Sequence, residues 1–138
     1  MSIITKKLFT KTFIALCGIA SYCEVYANDY KPEDFVWTTQ SKNSAGSMPC
    51  GGHDVGMNVW VENGDILFYL SKSGMFDENN TLLKAGRFRL KIGGNPFNDK
   101  SFEQRLCLSD GAIYIKGKDV KVRIWADVYQ PKVFVEIN

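Results

Sequence analysis

Histidine is nearly missing from this chain: His53 is the one imidazole in 138 residues. Metal sites ordinarily need three or four ligands, so a lone histidine argues against a metal centre, and no cofactor is expected. Cysteine, histidine and asparagine are too few or too scattered to build a catalytic triad or a cysteine-protease site. There is no nucleotide-binding glycine motif, no internal repeat and no low-complexity tract. No apolar run approaches the ~20 residues that a membrane-spanning helix requires. Charge of one sign is also lacking, with 17 basic against 15 acidic residues. Without a basic stripe there is no electrostatic case for nucleic acid.

What is present begins with a leader. Lys6, Lys7 and Lys11 precede a short apolar stretch, Phe13 to Ala20, and Val25-Tyr26-Ala27 offers small or compact residues to a signal peptidase. This is the secretory pattern, with cleavage expected after Ala27. Lipidation at Cys17 or Cys23 fits less well, because Leu16 and Tyr22 are bulky where a small residue is needed. Residues 28–138 then form one domain of 111 residues with 14 basic and 14 acidic side chains. The expected location is the periplasm or the cell surface, with no membrane attachment after cleavage. Two cysteines remain, Cys50 and Cys107, in a compartment where disulfides persist. A bridge between them would contribute about 4 kcal/mol on the chain-entropy model; two unpaired thiols are the alternative.

Short period-2 runs fill the rest of the chain. They cover Phe35 to Thr39, Val55 to Glu62, Asp65 to Ser71, Arg87 to Ile92, Phe102 to Leu108, Ala112 to Lys116, Val120 to Asp127 and Lys132 to Ile137. Asn63-Gly64 between two of them is a strong hairpin signal. No sustained 3.6-residue period follows the leader. Closely spaced strands of this kind predict an all-β, antiparallel β-sandwich. Trp60, Tyr69, Trp125 and Phe134 sit on faces that a lone two-layer sandwich would leave wet, which suggests a second packing partner (further strands, another domain or a sugar surface); a broad core with a few exposed aromatics is the alternative. The last run, KVFVEI, stops one residue before the end, which reads as truncation at an open sheet edge.

Two polar segments invite a chemical reading. Ser47 to Gly56 is rich in glycine and carries His53-Asp54, a conceivable base or ligand pair. Neighbouring strand residues point to opposite faces, so a turn with Asp54 bonding locally is the plainer reading. Asp77-Glu78-Asn79 holds adjacent carboxylates, whereas glycosidases need two carboxyls on opposite sides of the bond. A solvated loop is the plainer reading there too. Asn79-Asn80-Thr81 matches a glycosylation sequon, a pattern common by chance.

Val36-Trp37-Thr38-Thr39, Ser41 to Ser44, Gly46 to Pro49, Asp54-Val55-Gly56, Asn58 to Val61, Leu67-Phe68-Tyr69, Asp77-Glu78-Asn79, Asn95-Pro96-Phe97 and Val122 to Trp125 occur in an order that resembles domain-of-unknown-function family 5703, N-terminal domain. Such domains resemble the N-terminal β-supersandwich of glycoside hydrolase families sixty-five and ninety-five. The resemblance implies a carbohydrate context and a non-catalytic sandwich that precedes a catalytic α/α-toroid, here the missing C-terminal partner. It points to Gly51, Asp54 and Gly56 as shaping a sugar pocket, with His53 beside them; Trp60, Trp125 and Tyr69 are the stacking residues for an oligosaccharide if the chain is a binding module in its own right. Pro49-Cys50-Gly51-Gly52-His53-Asp54 stands where the family pattern has Pro-Leu-Gly-Asn-Gly-Asp. An autonomous carbohydrate-binding module and a small secreted structural protein are the other readings.

Overall fold

Period-2 alternation sets the strands of this protein. The computed structural model describes residues 33–138, and the expected leader with its cleavage point lies outside the described residues. Among the described residues nine strands follow one another: β1 (Phe35–Trp37), β2 (Met48–Gly52), β3 (Val55–Glu62), β4 (Asp65–Lys72), β5 (Gly86–Leu90), β6 (Glu103–Cys107), β7 (Ala112–Gly117), β8 (Val120–Ala126) and β9 (Val133–Ile137). Short 3-10 turns occur at Ser44–Gly46 and Pro96–Asn98. Asn63 and Gly64 take φ of 52° and 82°, the paired positive values that a tight hairpin between β3 and β4 demands.

Every strand pairing is antiparallel, and the pairings sort into two sheets. The wider one runs β1-β6-β7-β8-β9 and the narrower one β2-β3-β4-β5. Their facing side chains make the core of a β-sandwich. Val59, Val61, Ile66 and Phe68 of the four-stranded sheet meet Leu106, Ile113, Ile115, Val122 and Ile124 of the five-stranded one, all buried. Phe97 and Phe102 add an edge-to-face pair with ring centroids 6.4 Å apart. The turn at Pro96 packs so closely on β7 that a Cβ on Gly117 would stand 2.6 Å from the Pro96 carbonyl oxygen.

The glycine-rich segment read as a loop is in fact mostly strand. Met48 lies opposite Val59 and Cys50 opposite Met57. Met48 and Cys50 are buried while Pro49 and Gly51 face out, so the alternation is present but disguised by proline and glycine. Proline is tolerated because β2 is an edge strand.

The Cys50–Cys107 bridge is not formed; both are buried free thiols. Register explains why. Cys50 faces the core, where its thiol donates to the Gly111 carbonyl at 3.0 Å. Leu106 also faces the core, so its neighbour Cys107 points to the opposite side of the sheet and meets Ser109 Oγ at 3.2 Å. Burial raises the Cys50 thiol above its ordinary range, which keeps it protonated and inert.

One flank of the sandwich stays open. Val135 pairs with Ile124 and Ile137 with Val122, so both share the face that their neighbours bury in the core. Yet Val135 and Ile137 are 39% and 49% exposed. The cause is width: β2, the edge of the narrower sheet, abuts the end of β8, where a Cβ on Gly52 would stand 2.6 Å from the Asp127 carbonyl oxygen. Among the described residues no strand lies opposite β9.

Candidate functional site

The residues singled out by the sequence fall into three places. At the tip between β2 and β3, His53 takes φ 51° and its Nδ1 pairs with Asp54 Oδ1. Strand alternation argued against that pairing; it occurs because the two residues form the turn rather than continue the strand. The Asp54 carbonyl accepts from Ser73 N at 2.7 Å, which ties the tip to the end of β4. Among the described residues no third ligand joins them into a metal-binding group. Gly51 and Gly52 are there for close approach, with no room for a Cβ against the Val55 and Asp127 carbonyl oxygens.

Trp60 and Trp125 lie on the outer faces of different sheets. Trp60 is 2% exposed, which corrects the expectation of a stacking platform: its ring faces are not presented to solvent. It supports Tyr69 from a centroid distance of 5.1 Å and donates from Nε1 to Glu62 Oε2 at 2.8 Å. Trp125 is half-buried between the Arg123 guanidinium, 4.6 Å from its ring, and Phe134, stacked at 5.1 Å. Tyr114 continues this stripe, with Arg105 and Arg123 over its ring at 5.4 and 5.6 Å.

Asp110 anchors the stripe. Its Oδ2 accepts from Tyr114 Oη at 2.5 Å and from Arg123 Nη2 at 3.3 Å. Burial pushes the Asp110 carboxyl up, but the bonds from Tyr114 and Ala112 N and the Arg123 charge outweigh it and hold the group below its usual range. Burial and the neighbouring carboxylate together raise the Tyr114 phenol well above its ordinary value.

A groove that no sequence motif announced lies on the outer face of β3 and β4. It encloses about 330 Å³ between Ser44, Ser47, Asn58, Tyr69, Ser71, Leu82, Leu83 and Lys84. Asn58 and Tyr69 are cross-strand partners. Asn58 Nδ2 donates to Ser47 Oγ at 3.2 Å, and Ser71 Oγ donates to the Gly56 carbonyl at 3.3 Å. Gly56, one of the glycines of the expected pocket, is thus tied to this groove through Ser71. The far wall comes from the return between β4 and β5. There Asp77 Oδ1 accepts from Asn79 N and Thr81 N, each at 2.8 Å. Those bonds keep the Asp77 carboxyl below its usual range, and they close the loop that delivers Leu82, Leu83 and Lys84. The Asp77-Glu78-Asn79 cluster is therefore a loop staple as far as Asp77 is concerned. Register alone would have placed Asn58 with Tyr69; the loop's return over them has no local signature.

An antiparallel β-sandwich with an open flank and a polar outer groove is the class that these observations define. The chain belongs to the family described as Domain of unknown function (DUF5703), whose model matches residues 36–138. No curated protein and no solved structure matches it significantly. Among the described residues no helix is long and apolar enough to cross a membrane.

Proposed function

We propose that this chain is the non-catalytic β-sandwich part of a secreted, glycoside-hydrolase-like protein, and that its partner is a catalytic domain following it. The observation that carries this reading is the uncovered inner face of β9. Val135 and Ile137 are core-facing by register yet exposed, an arrangement that leaves apolar surface and an open edge for further structure. Six of the described aspartates support the same reading. Asp34 faces Arg105, Asp65 binds Arg89, Asp110 binds Tyr114 and Arg123, and Asp77, Asp99 and Asp127 accept from backbone amides of their own turns. Committed in this way, these six are not free to serve as the facing acid and base pair that glycoside hydrolysis uses.

A saccharide-binding module is the second reading, favoured by the groove beside Tyr69. Reading the genomic sequence after the Asn138 codon separates the two. Further strands followed by amphipathic helices, in frame or after one frameshift, support the partner-domain reading. Unrelated sequence after a clean stop contradicts it and moves the binding module to first place.

A further inference from the structure

The outer groove carries positive charge without acid, and from this we infer that it is a site for an acidic saccharide, taking one carboxylate-bearing pyranose of a uronic acid. The inference rests on the carbohydrate reading above and adds to it the site and the ligand class. Lys84 stands with Nζ 4.0 Å from the Tyr69 ring centroid, and Tyr69 is braced from behind by Trp60. Arg87 is the cross-strand partner of Tyr69 on the same face. Neither Lys84 nor Arg87 forms an ion pair among the described residues. Among the described residues no acidic side chain lines the groove, and Asp77 in the loop behind its far wall is occupied by the amides of Asn79 and Thr81. The ammonium is therefore placed by a ring rather than neutralised by a carboxylate.

The rest of the lining suits a sugar. Hydroxyl and amide groups of Ser44, Ser47 and Asn58 face the groove from one side, and Leu82 and Leu83, 59% and 41% exposed, supply apolar contact from the other. A pyranose presents the same two surfaces, hydroxyls at its rim and C–H groups on its faces. The volume of about 330 Å³ falls at the low end of the ~300–1,000 Å³ range of small-ligand sites, which fits a ring or two and not a long chain. A neutral sugar would leave Lys84 unmatched; a uronate carboxylate pairs with it through charge-assisted hydrogen bonds.

Calorimetric titration of the full chain tests this, with trisaccharides of galacturonate and of glucuronate, their methyl esters and maltotriose as probes. The expected result is binding of a uronate trisaccharide, at least about tenfold weaker for its ester, with affinity falling as salt rises. Lys84→Met keeps the aliphatic stem and the fold, checked by circular dichroism, and reduces uronate affinity by a similar factor. Equal binding of acid and ester, or full affinity in Lys84→Met, overturns the acidic-sugar assignment and leaves the carbohydrate reading standing. Binding of none of the probes by folded protein overturns the site itself. The carbohydrate reading falls separately, on the sequence downstream of Asn138.

Discussion

Gln104 reaches across the interior of the sandwich: its Nε2 donates to the Val59 carbonyl at 3.0 Å, joining β6 to β3. The side chain is 1% exposed among apolar neighbours, so this bond locks how the two sheets register on one another. A buried polar group left unpaired costs about 1–3 kcal/mol. Gln104→Leu, close in volume but unable to donate, is expected to lower unfolding free energy by about that amount in urea titration. An unchanged midpoint would show that the bond contributes nothing net.

The contact between the β2–β3 tip and the end of β8 gives a second prediction. A Cβ on residue 52 would stand 2.6 Å from the Asp127 carbonyl oxygen, which is backbone and cannot swing aside. Gly52→Ala should therefore destabilise by about 1–3 kcal/mol, the usual cost of overpacking. Gly93 has open space around its Cβ position, and Gly93→Ala should be neutral within about 0.5 kcal/mol. Thermal melts of both variants check the contrast; equal effects would contradict the packing described.

Cys50 and Cys107 should both react as thiols after unfolding and resist modification before it. They are buried, unbridged and in different sheets, Cys50 facing the core and Cys107 the outer side of β6, and burial raises the Cys50 thiol. Alkylation followed by peptide mass spectrometry reads this directly. Recovery of a Cys50–Cys107 linked peptide from unreduced protein would contradict the register of β6.

Much of the sandwich was legible because alternation is local. Asn63-Gly64 marked its hairpin, and the runs that became β3, β4, β7 and β8 needed only their own residues to declare themselves. β2 escaped because Pro49, Gly51 and Gly52 give no alternating side chains on its outer face, although Met48 and Cys50 kept the inward half of the pattern. The sequence left the pairing of Cys50 and Cys107 open for want of parity: compartment and loop length say nothing about which face of a strand a cysteine occupies. Trp60 looked like a platform because a lone two-layer sandwich would leave the outer face of β3 wet. The groove was not legible at all, since Ser44, Asn58, Tyr69 and Lys84 come from four separate stretches of chain.

Tyr114 and Asp110 predict how stability responds to alkali. The Tyr114 phenol is raised in the folded state by burial and by the Asp110 carboxylate, so the folded protein favours the neutral phenol. That contribution is fully present below the ordinary tyrosine value of about 10 and is lost as pH rises through the higher folded value. Wild-type stability should fall with pH above about 10. In Tyr114→Phe this part of the alkaline decline should be missing. Identical slopes in pH-dependent melts would remove Tyr114 from the account.

The central claim is that this sandwich serves a carbohydrate-active protein without performing the chemistry itself. Glycosidase assay over a panel of oligosaccharides, on the chain alone and on a polypeptide that continues through the sequence downstream of Asn138, tests it most directly. No hydrolysis by the chain alone, hydrolysis by the longer polypeptide, and its loss on Val135→Asp in β9 is the predicted result. Turnover by the chain alone, or an inactive longer polypeptide that is folded, would contradict it.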